Sequence, residues 1–261
     1  MLEEARRNGS LSPGQRIVAP SSGNTGISLA GLGGMAGHPV TITMPASASR
    51  ERRHTLEFLG ADVVLTQAEL GTGGAIRQAL ELSEKNPDWC MLDQYSCDSN
   101  ARAHFETTAP EIWREAPKIT HFVAGIGSGG TLAGVGRFLK ERNSPITIVA
   151  VEPELGHPIE GVRNIAPGSE PALFLKWNGH GLVDFKVTVS HADTLRMTKK
   201  LARECGIFAG PSSGMALTAA LGIAAGIDRG TILFLACDGG WKYLAGSTVK
   251  PSNSTAPLQT E

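Results

Sequence analysis

The chain has 261 residues, 41% of them hydrophobic, and a formal net charge of −1. This length and apolar content are enough for one large α/β unit or two modest domains with a substantial core. No basic block extends beyond pairs such as Arg52-Arg53, so nucleic-acid and membrane-surface binding have no support. The longest weakly polar segment, residues 215–227, is too short to span a bilayer and indicates a buried helix.

Predicted strands and helices alternate along the chain. In chain order they are the end of an amphipathic helix at residues 1–9, a helix at 25–37, a strand at 40–44, a helix at 49–59, a strand at 61–65, helices at 74–86 and 100–115, a strand at 122–126, a helix at 131–142, a strand at 146–151, helices at 192–205 and 214–226, and a strand at 232–236. Such alternation predicts an α/β fold of parallel sheets with helices on both faces, and it places ligand sites at the carboxyl ends of the strands.

Capping residues support the predicted helix ends, and the composition of the C-terminal segment indicates a flexible tail. Ser190, three residues before Asp193, is typical of a helix N-cap, while Gly60 and Gly206 follow predicted helices as C-caps. Residues 247–261 are rich in Ser, Thr and Pro without periodicity, and we expect a flexible tail there.

Cysteine and histidine occur in patterns that argue against disulfide and metal sites. The four cysteines lie far apart without a C-x-x-C spacing, which is typical of a reduced, cytoplasmic protein. Cys97 follows Gln94 closely, but an unpaired small residue is a simpler interpretation than a reactive thiol. The seven histidines form no H-E-x-x-H or H-x₃-H pair, so no metal site is expected.

Three glycine-rich loops each precede a predicted helix. They are Pro20-Ser21-Ser22-Gly23-Asn24-Thr25-Gly26, Gly127-Ser128-Gly129-Gly130-Thr131 and Gly210-Pro211-Ser212-Ser213-Gly214. Unpaired amides and the helix dipole make such positions anion-binding sites, and glycine lets an anion approach the backbone closely. The chain is therefore predicted to hold negative charge at several places.

The order and sequence of these loops resemble the pyridoxal-phosphate enzymes of the β-replacement family, the cysteine synthases and cystathionine β-synthases. The resemblance covers residues 1–246. It implies the tryptophan synthase β-like architecture, known as fold type II, with pyridoxal 5′-phosphate bound between two domains. Residues 22–95 would form a small mobile domain and residues 96–246 the large cofactor-binding domain, to which residues 1–21 would belong as a remnant of its N-terminal part.

The same resemblance assigns substrate contacts to the first loop. Ser22, Gly23 and Thr25 would grip the α-carboxylate of an amino-acid substrate, and Gln94 would be a second carboxylate contact. Asn24 would contact the 3′-oxygen of the cofactor.

The second and third loops would hold the cofactor. The phosphate would lie in the loop formed by Gly127, Ser128, Gly129, Gly130 and Thr131, and Ser212 would face the pyridine nitrogen. A neutral serine there makes the ring a weaker electron sink than an aspartate would, which suits elimination and replacement at Cβ.

One feature of the family is missing from the sequence. Its Schiff-base lysine lies a few tens of residues before the Ser-Gly-Asn-Thr-Gly loop, in a Ser-x-Lys-Asp-Arg context, whereas no lysine here precedes Lys85. We therefore expect a chain without its natural N-terminal segment. Lys242 is the nearest substitute, but a structural or surface lysine is the simpler interpretation.

Two further segments indicate which substrate and sulfur donor the protein uses within the family. Residues 157–164 and the segment from Asp238 to Leu244 resemble the branch that uses O-phosphoserine and takes sulfur from a thiocarboxylated carrier protein. In that branch an arginine matching Arg163 meets the substrate phosphate, which suits a planar guanidinium, although a surface arginine is an equal alternative.

The predicted activity is thus cysteine synthesis by β-replacement on O-phosphoserine or O-acetylserine, in a homodimer. Three alternatives stay open. The chain could be cystathionine β-synthase-like, another β-elimination or replacement enzyme, or a catalytically silent homologue that binds the cofactor without the lysine that acts as its base and anchor.

Overall fold

The structure is a computed structural model that describes residues 1–142, 145–166, 168, 170–178 and 181–244. The predicted tail at residues 247–261 lies outside the described residues. None of the helices in the described part combines the length and apolar content that crossing a bilayer needs.

The first half of the chain builds a four-stranded parallel sheet. Its elements are α1 (Leu2–Arg7), β1 (Ile17–Pro20), α2 (Asn24–Met35), β2 (Val40–Pro45), α3 (Arg50–Phe58), β3 (Asp62–Thr66), a 3₁₀ turn (Ala68–Leu70), α4 (Gly71–Lys85) and β4 (Cys90–Met91). The strand order is β3-β2-β1-β4, with Ile17 opposite both Val40 and Cys90.

The second half builds another four-stranded parallel sheet. Its elements are α5 (Asp98–Ala103), a π-helical turn (His104–Thr108), α6 (Ala109–Glu115), β5 (His121–Gly125), α7 (Gly130–Arg142), β6 (Thr147–Pro153), α8 (Ala172–Asn178), β7 (Phe185–Val189), α9 (His191–Cys205), α10 (Pro211–Ala224), β8 (Ile232–Phe234) and a 3₁₀ turn (Gly240–Tyr243). The strand order is β7-β6-β5-β8.

The central strands of the second sheet are buried on both faces. In β5, Phe122 packs in a core with Ile112 and Leu132, whereas the next residue, Val123, packs in a separate core with Met215. Successive side chains of a strand point to opposite faces, so one continuous apolar run supplies both cores. Helices α6 and α7 cover one face and α10 covers the other, as the alternation of elements predicted.

Residues 1–21 pack with the first sheet, which differs from their expected place in the second unit. Strand β1 (Ile17–Pro20) pairs with β2 on one side and β4 on the other, and Ala5 and Leu11 belong to the same core as Ile17. All four residues of β1 are buried. A run this short has no visible periodicity, so only the pairing reveals which sheet it joins.

The predicted caps are confirmed, and one predicted helix is interrupted. The Ser190 hydroxyl accepts a hydrogen bond from the Asp193 amide at 3.0 Å, and Gly206 ends α9 with φ of 69°. The predicted helix at residues 100–115 is divided by the π-helical turn His104–Thr108. Strands β1, β4 and β7 and helix α8 were not predicted.

Close packing of α9 against α10 depends on Gly214. A Cβ at this position would lie 2.1 Å from Thr198 Oγ1, so the neighbouring helix would have to shift. We expect Gly214→Ala to lower the free energy of unfolding by about 1–3 kcal/mol. Gly222, in the same helix with nothing within 4 Å of its added Cβ, is the matched control. Gly222→Ala should raise that free energy by about 0.5–1 kcal/mol in the same denaturant titration, and equal effects would contradict the packing argument.

Candidate cofactor and substrate site

Loops at the carboxyl ends of the strands of both sheets enclose a cleft of about 400 Å³. That volume lies within the range of about 300–1,000 Å³ found for small-molecule sites. The cleft is lined by all twelve residues for which the sequence suggested a contact: Ser22, Gly23, Asn24, Thr25, Gln94, Gly127, Ser128, Gly129, Gly130, Thr131, Arg163 and Ser212. Three loops far apart in the chain thus meet because parallel strands end at a common edge.

The loop at residues 127–131 joins β5 to the start of α7. Gly129 has φ of +86°, a conformation that side chains rarely adopt, and a Cβ on Gly127 would lie 2.5 Å from the Gly161 carbonyl oxygen. Both glycines are therefore required by the backbone path. The first amides of α7, which begins at Gly130, have no partner within the helix, and the hydroxyls of Ser128 and Thr131 add two further donors beside them. This loop can hold a phosphate.

Asn100 connects the loop at residues 127–131 to the opposite wall of the cleft. Its Nδ2 donates to the Gln94 carbonyl oxygen at 2.8 Å and to Ser128 Oγ at 2.9 Å. One side chain thereby fixes the position of two proposed contacts that are distant in sequence. An asparagine at the start of a predicted helix gave no sign of this role.

His104 is a further cleft residue that the sequence did not single out. It lies in the π-helical turn, a distortion that is frequent at functional sites. Its Nε2 is 3.3 Å from Thr131 Oγ1 and its Nδ1 is 3.0 Å from Thr108 Oγ1. Burial lowers the pKa of His104, which favours a neutral ring with one donor and one acceptor nitrogen.

The loop before α2 is held by hydroxyl and amide groups. Ser21 Oγ accepts from the Gly26 amide at 3.0 Å, and Thr25 Oγ1 donates to Gln94 Oε1 at 2.8 Å. Gln94 Nε2 in turn donates to Ser21 Oγ at 3.4 Å. The Gln94 amide therefore has a fixed orientation, with its nitrogen near the loop that starts the helix.

A charged cluster lies where α2 meets the C-terminal 3₁₀ turn. Asp238 Oδ2 accepts hydrogen bonds from Asn24 Nδ2 at 3.0 Å and from the Tyr243 hydroxyl at 2.8 Å. Lys242 Nζ lies 2.9 Å from the same oxygen and also donates to Asn24 Oδ1. Lys242 is thus ion-paired with one cleft residue and hydrogen-bonded to another, and both polar atoms of the Asn24 amide are oriented by this cluster.

The cluster holds Asp238 in its ionised form. Burial by itself would raise the pKa of Asp238, but the hydrogen bonds from Asn24, Lys242 and Tyr243 outweigh it and lower the pKa below its ordinary value. The neighbouring Cys237 shows the opposite effect, because burial and the Asp238 charge raise its pKa to about 11. Cys237 is therefore a thiol at neutral pH, and a thiolate role for it has no support.

Arg163 and Ser212 face the cleft from the second sheet. The Arg163 guanidinium carbon is 4.6 Å from the centroid of the Tyr95 ring, and its backbone amide donates to the Ile126 carbonyl at 2.9 Å. Ser212, the second residue of α10, lines the cleft, whereas Ser213 is fully buried. Within the described ranges, no group of His, Cys, Asp or Glu side chains is arranged to hold a metal ion.

The lowered pKa of Asp238 predicts a specific loss of stability in acid. An ionised Asp238 stabilises the fold above the unfolded-state pKa of about 3.9, and that contribution disappears as pH falls through the lower folded-state pKa. We expect Asp238→Asn to lower the free energy of unfolding at pH 7 by about 1–3 kcal/mol and to flatten its decline below pH ~4. Denaturant titrations from pH 2.5 to 7 measure this, with the exposed Asp228→Asn as control. An unchanged acid slope would contradict the assignment.

Comparison with known proteins agrees with this geometry. A family model described as pyridoxal-phosphate dependent enzyme matches residues 1–238. Cysteine synthase B of Salmonella typhimurium is 38% identical over 246 residues, which cover 94% of this chain and 80% of that protein. A cysteine synthase of Aquifex aeolicus is 39% identical over 251 residues, covering 94% and 76% respectively. The crystal structure of an O-acetylserine dependent cystathionine beta-synthase from Helicobacter pylori has a TM-score of 0.85 at 35% identity, covering 93% of this chain and 81% of that one. The chain therefore belongs to the pyridoxal-phosphate dependent enzymes and has the fold type II architecture that its sequence predicted.

Proposed function

We propose that this protein is a cysteine synthase, which exchanges a leaving group on the β-carbon of an activated serine for sulfur. The observation that carries the proposal is the convergence of three helix-starting loops on one cleft, each with different polar groups. Cysteine synthases at 33–39% identity support it.

The residues of the cleft fit pyridoxal phosphate. The amides and hydroxyls of residues 127–131 suit a phosphate dianion at the start of α7, and Ser212 can donate to or accept from the pyridine nitrogen. When bound, the cofactor supplies an electron sink for negative charge that develops at the substrate α-carbon. Asn24 Nδ2 carries two hydrogens, so it can donate to the cofactor 3′-oxygen while it also donates to Asp238.

The loop at residues 22–25 suits the substrate α-carboxylate. Its amides lie at the start of α2, where the helix offers unpaired donors and a favourable dipole. Gln94 adds a donor, because Thr25 occupies its oxygen and thereby directs its nitrogen towards this loop. Binding at this loop would orient the amino acid with its β-carbon towards the interior of the cleft.

Arg163 is the proposed contact for a phosphate leaving group. Its guanidinium is permanently charged, presents a planar fork of donors, and is held against the Tyr95 ring at the cleft wall. O-phosphoserine is therefore the proposed substrate, with O-acetylserine as the alternative. A thiocarboxylated sulfur-carrier partner and a homodimer belong to the same proposal and rest on the family resemblance. The proposed cytoplasmic location rests on the four widely spaced cysteines.

The direct test of activity is cysteine formation from O-phosphoserine or O-acetylserine with sulfide. The similarity to a cystathionine beta-synthase structure supports a second candidate, in which homocysteine is the nucleophile. A preference for homocysteine with formation of cystathionine would favour that candidate over the first.

The phosphate loop predicts selective binding of the phosphorylated cofactor. Ser128→Ala and Thr131→Val each remove a hydroxyl next to the proposed phosphate position. Because a hydrogen bond to a charged group contributes about 1.5–3 kcal/mol, each change should weaken pyridoxal phosphate binding roughly 10-fold or more. Binding of pyridoxal, which has no phosphate, should change less than about twofold. Absorbance titration measures both, Thr107→Val on the exposed surface is the control, and equal losses for the two ligands would contradict the assignment.

The position of Arg163 predicts discrimination between the two substrates. We expect Arg163→Ala to weaken O-phosphoserine binding by about 10- to 100-fold, because a charge-assisted contact is lost, and to change O-acetylserine binding little. Titration of the cofactor-loaded protein measures both affinities. Arg137→Ala is the matched control, since Arg137 also stacks on an aromatic ring, that of Trp177, but does not line the cleft. Equal losses for both ligands, or a wild type that prefers O-acetylserine, would contradict the phosphoserine assignment.

A further inference from the structure

Two adjacent arginines of α3 have very different surroundings. The Arg53 side chain is 48% exposed and pairs with Glu57 on its own helix, whereas the Arg52 side chain is only 6% exposed. Burying a guanidinium is costly unless its donors are paired, so its partners identify what the arginine holds in place.

The partners of Arg52 lie on three separate segments. Its Nη1 donates to the Ser22 carbonyl oxygen at 3.2 Å, in the loop that follows β1 of the first sheet. Its Nη2 lies 2.7 Å from Glu160 Oε2, in the connection that follows β6 of the second sheet. Its guanidinium carbon is 5.1 Å from the centroid of the Tyr243 ring, in the last 3₁₀ turn. The Arg52 side chain, on helix α3 beside the first sheet, therefore contacts segments from both sides of the cleft.

The network continues from Tyr243 back to the first sheet. The Tyr243 hydroxyl donates to Asp238 Oδ2, which also accepts from Asn24. The loop at residues 22–24 is consequently held at two points, at Ser22 by Arg52 and at Asn24 by Asp238. Both holding groups contact Tyr243.

We propose that Arg52 is a positioning residue that fixes the loop at residues 22–25 relative to the second sheet, so that its amides meet a substrate carboxylate. This inference rests on the proposed function for the identity of the ligand. The geometry of the three contacts does not depend on it. Arg52 touches neither Ser128 nor Thr131 in any contact of the described residues, so its effect should be largest on the carboxylate side of the cleft and smaller on the cofactor, which it reaches only through Asn24.

Arg52→Lys is the sharpest substitution for testing this role. Lysine keeps the charge and the helix propensity, but a single ammonium cannot hold Ser22 and Glu160 as a fork while stacking on Tyr243. Arg53→Lys makes the same chemical change at the adjacent, exposed position and is the matched control. Glu160→Gln removes the charged partner and leaves Arg52 in place.

The first measurement compares two ligands on each variant. L-alanine serves as the carboxylate probe because it has no leaving group, and pyridoxal phosphate serves as the probe of the loop at residues 127–131. We expect Arg52→Lys to weaken L-alanine binding to the cofactor-loaded protein about 10-fold and pyridoxal phosphate binding less than about twofold. Arg53→Lys should leave both affinities unchanged.

The second measurement needs no ligand. Hydrogen exchange should become about 10-fold faster at the amides of residues 23–26 in Arg52→Lys and in Glu160→Gln, because the loop loses its attachment to the second sheet. Amides at the start of α7 should keep their wild-type exchange rates. The Arg52→Lys/Glu160→Gln double variant should exchange no faster than the more affected single variant, as expected for one shared interaction.

The two measurements separate the positioning role from the proposed function. Uniform acceleration in both segments, equal loss of both ligands, or no change in Arg52→Lys would overturn the inference. If the wild-type protein binds neither ligand, the proposed function fails, but the exchange rates at residues 23–26 still decide whether Arg52 fixes this loop.

Discussion

All parallel strands in a sheet end at the same edge, and in this fold each site-forming helix begins close to that edge. The first turn of every such helix leaves amides without intrahelical partners, so the edge concentrates hydrogen-bond donors and positive dipole ends. Two sheets that face each other across a cleft bring the starts of α2, α7 and α10 together. The site depends on this constraint before any individual side chain contributes.

Glycine and serine give the loops of this shared geometry different shapes. At residues 127–131 the backbone path itself requires glycine, because a Cβ on Gly127 would collide with the Gly161 carbonyl oxygen and Gly129 has positive φ. At residues 22–25 the loop is shaped by hydroxyls and amides, through Ser21 and the pair of Thr25 with Gln94. The two loops are thus built from different chemistry, which suits the proposed phosphate on one side and the proposed carboxylate on the other.

Buried charges connect the two sheets around the cleft. Arg52 is paired with Glu160, and Asp238 with Lys242, so neither enters the interior uncompensated. Removing one partner from such a pair leaves a charge without its match, which is much more costly than breaking a surface pair. The polar network therefore favours one arrangement of the two sheets relative to each other. Apolar packing within each sheet does not determine that arrangement.

The sequence by itself determined the α/β class, the parallel sheets and twelve of the residues that line the cleft. Three glycine-rich loops in a fixed order are a local signal, because each requires its own backbone geometry and each starts a helix. The family comparison and the convergence of Asn24, Thr131 and Ser212 in one cleft agree with that interpretation. Helix caps at Ser190 and Gly206 were predictable for the same reason, since a cap depends only on its neighbours in the chain.

Tertiary structure decided the features that depend on partners distant in the sequence. The sheet to which the short strand Ile17–Pro20 belongs is evident only from its pairing with β2 and β4. For this reason residues 1–21 were expected with the second sheet, although they pack with the first. Arg52 and Arg53 are identical as sequence, yet one is buried across the cleft and the other exposed, because the position of Glu160 and Tyr243 relative to α3 is a result of folding. Asn100, His104 and Asp238 are likewise ordinary polar residues in the chain. Their roles arise from contacts over long sequence separations, which no local pattern encodes.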